Sequence, residues 1–122
     1  MLDHAAVRRI AAALPGAVDG TEGDSLAFTV DGKGFAWRYL VRTHPRKPRV
    51  LDPSVLAVHC PMERKEFLIE AAPDIYFDDD HYRGYPAVLV RLDAVGADEL
   101  AALLADAHGW VASKPKRRKK KT

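Results

Sequence analysis

The sequence predicts a single α+β domain in which an antiparallel sheet carries helices packed on one face. Two observations support this prediction: apolar residues recur at helical spacing near both ends of the chain and once in the middle, and strand-like alternation fills the stretches between them. A chain of 122 residues that is 48% hydrophobic and 30% charged has the size of one domain and can bury a core. The predicted order of elements is α-β-β-β-α-β-β-α over residues 1–112.

The first predicted helix covers residues 4–14. Asp3 can accept hydrogen bonds from the backbone of the first turn, and apolar residues then follow at positions i, i+3, i+4 and i+7. Pro15 and Gly16 end this helix, and we expect a polar, glycine-rich loop after them.

A β-hairpin is predicted around Asp31 and Gly32, because this pair suits the positive φ angles of a tight turn. In the strand after the turn, alternation places four apolar side chains on one core-facing side, namely Phe35, Trp37, Tyr39 and Val41. A third strand is predicted from Val55 to His59. The loop before this strand contains three prolines, which we expect to keep it extended and outside the sheet: Pro45, Pro48 and Pro53.

The second half of the chain predicts a helix, two strands and a final helix. Pro61 is tolerated in a first helical turn, and an apolar side then continues until Pro73, formed by Met62, Phe67, Leu68 and Ile69. Asp74 to Phe77 indicates a short strand, and the run Pro86 to Leu92 is apolar on both faces, as in a buried strand. The last helix is predicted to end at Gly109.

Positive charge is concentrated at the C-terminal end. Seven of the 19 basic residues lie in residues 113–122, a predicted disordered polybasic tail: Lys114, Lys116, Arg117, Arg118, Lys119, Lys120 and Lys121. The remaining residues hold 12 basic and 17 acidic side chains, so the predicted folded domain has a net charge of −5 with histidine neutral. We expect the tail to bind DNA and other polyanions without selecting among them.

Several classes of function are not favoured. The one cysteine, Cys60, cannot form an internal disulfide, no apolar run is long enough to span a bilayer, and the N-terminal residues do not resemble a secretory signal, so a cytoplasmic location is expected. The sequence contains no nucleophile elbow and no glycine-rich phosphate loop, and His59 and Cys60 should face opposite ways as neighbours on a strand. We therefore predict neither an enzyme nor a cofactor.

The run Asp78, Asp79, Asp80 and His81 is the stretch that most resembles a metal site, because carboxylates and an imidazole can ligate a divalent cation. Consecutive residues in an extended segment point to opposite sides, however, and the alternating acids of a calcium loop are missing. We therefore interpret the run as a solvated acidic loop and predict no metal.

Two stretches carry a resemblance to a known family. FAWRYL and the later run ERKEFLIEAAPDIYFDDDHYRGYPAVLVRLDAVGADELAALLADA resemble the MmcQ/YjbR family of small bacterial proteins, and the similarity in layout extends from the first helix to about Trp110. The resemblance implies a CyaY-like α+β fold related to a double-wing arrangement, and a DNA-binding role without catalytic residues. The chain departs from the usual family pattern at Asp78, Asp79, Asp80, Arg83 and His108.

Nucleic-acid contacts are predicted at a basic loop and at an aromatic loop. The basic group clusters around the proline-containing loop, where it can meet phosphates, and comprises Arg38, Arg42, Arg46, Lys47 and Arg49. The second group comprises Tyr82, Arg83 and Tyr85; the two tyrosine rings, beside Arg83, can stack on unpaired bases where they are exposed. Two other interpretations stay open: a homodimer that covers the helix-free face of the sheet, and a small-ligand or metal binder.

Overall fold

Three helices and a six-stranded antiparallel sheet make up the part of the chain, residues 2–113, that a computed structural model describes. The elements are, in chain order, α1 (His4–Ala12), β1 (Ala17–Asp19), β2 (Ala27–Val30), β3 (Lys33–Val41), β4 (Val50–His59), α2 (Met62–Ala71), β5 (Tyr76–Phe77), β6 (Ala87–Arg91) and α3 (Ala97–Ser113). The strand order in the sheet is β1-β2-β3-β4-β6-β5, and every neighbouring pair is antiparallel. The predicted α+β class and antiparallel sheet are confirmed, with one strand more than predicted.

Strand β1 is the element that the sequence did not predict. It has three residues at the edge of the sheet, pairs with β2 and leaves Val18 59% exposed, so no apolar alternation marks it. Asp19 fixes its end, because the carboxylate accepts a hydrogen bond of 2.8 Å from Arg8 Nε and another of 2.9 Å from the backbone nitrogen of Thr21. Contacts with β2 and α1 therefore form a strand where the local sequence predicts a loop.

The β2–β3 hairpin turns at Asp31 and Gly32 as predicted, with φ angles of 54° and 75°. Beyond the turn the register of the two strands shifts, and Phe35 is the extra residue of this β-bulge. Phe35 consequently packs on the helix side of the sheet, whereas Trp37 and Tyr39 lie on the opposite face. The prediction that these side chains share one face is therefore wrong, because a bulge reverses the alternation.

Strand β4 starts at Val50 rather than at Val55 and so includes Pro53, which corrects the prediction that this proline stays outside the sheet. The ladder between β3 and β4 is irregular around the proline, since the pairing shifts between Arg38 and Leu40. Because proline has no N–H group to donate to a neighbouring strand, a strand tolerates proline where its hydrogen-bond ladder is irregular.

The sheet has an apolar core on each face. On the helix face, α1 and α3 pack against strand residues such as Phe35 and Leu56. On the opposite face, a smaller cluster contains Tyr39, Leu89 and Tyr82, the last of which comes from the connection between β5 and β6. We call this connection, residues 78–86, the covering segment. Strand β6 is apolar on both faces because each face meets a core within the chain, so this pattern no longer argues for a homodimer.

Helix α2 buries a lysine. Lys65 is 1% exposed, whereas Phe67, which was predicted on the apolar side of the helix, is 62% exposed. Lys65 Nζ donates hydrogen bonds of 2.8 and 2.9 Å to the carbonyl oxygens of Tyr82 and Tyr85, and it lies 3.2 Å from Asp78 Oδ2. The ammonium group therefore ties α2 to the covering segment through charge-assisted hydrogen bonds.

Helix α3 continues through Gly109 to Ser113, the last described residue, so the predicted end at Gly109 is wrong. Val111 is 3% exposed, and its burial extends the helix past the weak helix propensity of glycine. Ser113 Oγ donates a hydrogen bond of 2.9 Å to the carbonyl oxygen of Trp110 in the last turn. None of the helices within residues 2–113 is long and apolar enough to cross a membrane.

Candidate functional site

Three adjoining depressions meet at the Trp37 side chain and form one groove. Their volumes are about 470, 410 and 240 Å³. We call this surface the aromatic groove, and its aromatic and cationic lining consists of Lys33, Trp37, Arg38, Arg49, His59, His81, Tyr82 and Tyr85. Lys33 lines one end, and Arg38 and Arg49 line the other. The groove therefore has aromatic rings along its middle and cationic side chains at both ends.

The indole of Trp37 is held in place by neighbouring side chains. Its Nε1–H donates a hydrogen bond of 2.9 Å to Tyr82 Oη, and its ring meets that of His59 edge-on with centroids 5.4 Å apart. Tyr82 is only 8% exposed, and its backbone nitrogen donates a hydrogen bond of 2.8 Å to Asp79 Oδ1. Tyr82 is thus the fixed floor of the groove, which corrects the prediction that its ring is exposed.

Tyr85 is the tyrosine of the covering segment that reaches the surface, since it is 45% exposed. Its ring centroid lies 6.0 Å from that of Tyr82 and 5.9 Å from that of His59. Gly84 adopts a φ angle of 77° and turns the chain just before it, a conformation that suits glycine. Because Lys65 also binds the Tyr85 carbonyl oxygen, the ring is exposed on a fixed backbone.

The charges of the domain are segregated. Residues 32–51, which we call the basic hairpin, contain six basic side chains and no acidic one: Lys33, Arg38, Arg42, Arg46, Lys47 and Arg49. The rest of residues 1–113 contain six basic and 17 acidic side chains, a net charge of −11. An acidic domain therefore carries one strongly basic projection, formed by β3, the start of β4 and the loop between them.

Neutral acceptors organise the loop of the basic hairpin. Arg42 Nη1 donates hydrogen bonds of 3.3 Å each to the carbonyl oxygens of Pro45 and Lys47, and Arg49 Nη1 donates one of 3.5 Å to the carbonyl oxygen of Leu40. These bonds shape the loop without cancelling its charge. The predicted basic residues form no ion pair within residues 2–113, and all of them except the half-buried Arg49 are exposed.

The charged side chains of the covering segment have partners within the domain. Arg83 Nη2 lies 2.7 Å from Asp80 Oδ1, and Asp78 faces the buried lysine of α2. Arg83 lines none of the three depressions of the groove. Asp79 accepts a hydrogen bond of 2.6 Å from Tyr39 Oη, and burial together with this carboxylate raises the pKa of the tyrosine. Each carboxylate thus has a separate partner, and the described part of the chain holds no group of three or more potential metal ligands.

The predicted tail contacts lie outside the described residues and comprise Lys114, Lys116, Arg117, Arg118, Lys119, Lys120 and Lys121. Their contribution to nucleic-acid binding stays a prediction from charge.

Cys60 follows β4 and is 4% exposed. Burial raises the pKa of its thiol to about 11, although the charges of Lys65 and Arg64 oppose this shift. The ring of His59 packs instead against that of Trp110, with centroids 5.2 Å apart. The thiol is therefore protonated at neutral pH, and a thiolate nucleophile is not favoured here.

The sequence found some members of the groove but not the groove itself. It selected Tyr85 and the hairpin arginines, yet it assigned Trp37 to the core and gave no role to Lys33 or His59. The bulge at Phe35 brings Trp37 into the groove, and a bulge leaves no mark in an alternating pattern. The absence of acidic residues from the basic hairpin was a signal that could have been read directly.

The fold and the site define a small α+β protein whose antiparallel sheet carries an aromatic groove beside a basic hairpin. The family model described as YjbR matches residues 12–109 of this chain. The chain therefore belongs to the YjbR family, as the resemblance in its sequence implied.

The curated relatives cover less of the chain than the family model does. Uncharacterized proteins of Mycobacterium bovis and Mycobacterium tuberculosis are each 43% identical to it over 49 residues, which is 40% of this chain and 36% of each relative. The match leaves most of each relative uncovered. A crystal structure of a Deinococcus radiodurans protein with a DUF419 domain is similar with a TM-score of 0.70, at 24% identity over 93% of this chain and 81% of that chain. This likeness shows the fold.

Proposed function

We propose that this protein is a non-enzymatic DNA-binding protein that contacts nucleic acid through the basic hairpin and the adjoining aromatic groove, with the polybasic tail adding affinity. The observation that carries the proposal is the charge segregation: six basic side chains and no acidic one in residues 32–51 of a domain that is otherwise acidic. A polyanion is the class of ligand whose charge complements such a projection.

Local charge outweighs net charge at this surface. The Debye length is about 8 Å at physiological ionic strength, so acidic groups on the far side of the domain are largely screened from a phosphate at the hairpin. Arg38, Arg46 and Lys47 are exposed and can pair with successive phosphates. No base-reading element accompanies them in the described residues, so we propose binding with little sequence preference.

The proposal is tested by fluorescence anisotropy of labelled DNA at two salt concentrations. The protein is the full chain, in its natural form and with its seven tail cations replaced by glutamine. We expect the tail-neutralised protein to keep weaker, salt-sensitive binding. In that background, Arg38→Ala with Arg46→Ala should weaken binding and reduce the slope of log affinity against log salt by about 1 to 2, because each lost phosphate contact contributes roughly 0.7 to 0.9.

The matched control removes two arginines outside the hairpin, Arg9→Ala with Arg64→Ala. This pair lowers the net charge equally but should change the affinity much less. Equal losses from the two double variants would contradict a specific role for the hairpin. Loss of all binding upon tail neutralisation would mean that the tail alone holds the DNA.

A further inference from the structure

We infer that the aromatic groove selects single-stranded over double-stranded nucleic acid, by stacking unpaired bases on the exposed ring of Tyr85 and on the neighbouring rings of Trp37 and His81. This inference rests on the proposed function and names the class of nucleic acid that the same surface prefers.

The order of side chains along the groove matches the chemistry of a single strand. Lys33 stands at one end, Trp37, Tyr85 and His81 lie in the middle, and Arg38 with Arg49 closes the other end. A single strand presents phosphates on both sides of each base, so cations at both ends of an aromatic platform can hold the backbone while a base stacks between them. Arg38 can in addition meet a base or phosphate from an exposed position.

A duplex cannot use the middle of this groove. Its bases are already stacked on one another, and their faces become available only after unpairing, which costs free energy. Duplex DNA would therefore gain only the phosphate contacts, whereas a single strand gains these contacts and the stacking. Because every base has a π face, the preference should depend little on sequence.

The platform is organised before the ligand arrives. The hydrogen bond from Trp37 Nε1 to Tyr82 Oη fixes the indole, and the bond from Lys65 Nζ to the Tyr85 carbonyl oxygen fixes the backbone beneath the exposed ring. The nearby carboxylates of Asp78 and Asp79 are engaged by Lys65 and Tyr39, so they do not extend into the groove as unpaired charges. Fixed rings lose little entropy upon stacking, which favours binding.

The test compares a labelled single strand with a duplex of the same sequence, bound by the full chain with its tail cations replaced by glutamine. We expect the single strand to bind about tenfold more tightly, and Tyr85→Ala to remove most of this difference, since one base stack is lost. Tyr85→Phe keeps the ring and should keep the preference. Phe67→Ala removes an aromatic ring on α2 that is 62% exposed and lies outside the groove, and it should change nothing.

A second measurement does not depend on how well a variant folds. Single strands that carry 5-iodouracil are irradiated on the same protein, and the cross-linked peptides are identified by mass spectrometry. Cross-links at Trp37, His81 or Tyr85 support the inference.

The possible outcomes separate the two claims. Equal affinity for single strand and duplex, without cross-links in the groove, would overturn the inference but leave DNA binding by the hairpin intact. Failure of the tail-neutralised protein to bind either ligand would overturn both.

Discussion

At the scale of single residues, Lys65 is the residue whose burial is least expected from its charged side chain. A lysine that is 1% exposed has lost its hydration, and removing an ammonium group from water costs several kcal/mol. The two carbonyl oxygens and the Asp78 carboxylate around Nζ replace the lost water. Since all three come from the covering segment, this side chain anchors the segment to α2.

Lys65→Met should destabilise the fold by about 3 to 5 kcal/mol, because it leaves buried carbonyl groups and a carboxylate without their cation. Equilibrium unfolding in urea measures the change. Arg64→Met is the control, since the neighbouring Arg64 is about half exposed at its side chain and pairs with Asp106 at the surface. A loss below about 1 kcal/mol for Lys65→Met would contradict the role given to the buried ammonium, since surface ion pairs contribute that little.

The raised pKa of the Cys60 thiol predicts that the folded state loses stability at alkaline pH. Burial raises the thiol pKa from 9.0 to about 11 in the folded state, so the folded protein favours the protonated thiol more strongly than the unfolded chain does. The stabilisation is complete below the ordinary pKa and is lost as the pH rises through the folded pKa. The free energy of unfolding should therefore fall over this range, and less steeply in Cys60→Ala. If the free energy of unfolding fell equally steeply in both proteins, the decline would come from other groups, such as the buried Tyr39 and Tyr76, which titrate in both. That result would contradict the role given to Cys60.

At the scale of elements, the sequence predicted best where local chemistry decides the structure. The turn at Asp31 and Gly32 and the start of α1 at its Asp3 cap follow from single residues, and both are present. The bulge at Phe35, the irregular ladder around Pro53 and strand β1 depend on which strand lies alongside. Local patterns contain no information on that pairing, and so these features were missed.

The covering segment is held to the sheet face by Tyr39, and this bond yields a prediction. Tyr39→Phe removes the 2.6 Å hydrogen bond to Asp79 and should cost about 1.5 to 3 kcal/mol, the range for bonds to charged groups. Amide hydrogen exchange, followed by mass spectrometry, should become faster in residues 78–86. Tyr76→Phe is the matched control, because Tyr76 donates a similar bond of 2.8 Å to Glu99. If both variants accelerate exchange equally in the covering segment, the bond to Asp79 has no special role.

At the scale of the whole molecule, the class of fold was predictable and the site only in part. Hydrophobic periodicity determines which stretches are helices or strands, and their order then limits the architecture. The aromatic groove joins β3, the end of β4 and the covering segment, which lie far apart in the sequence. Its assembly follows from strand register, which the sequence pattern does not contain. The basic hairpin, by contrast, is continuous in sequence, so its five predicted basic residues could be identified without knowledge of the fold.

Binding of nucleic acid at the basic hairpin and the aromatic groove is tested by titrating the isotope-labelled full chain with a short single-stranded DNA and following the amide and indole NMR signals. The chain has two tryptophans, so the indole signals of Trp37 and Trp110 can be told apart with a single variant. We expect the largest shifts on the Trp37 indole, on Tyr85 and on the basic hairpin between Arg38 and Arg49. Shifts confined to residues after Ser113, with the Trp37 indole unchanged, would contradict binding at this surface.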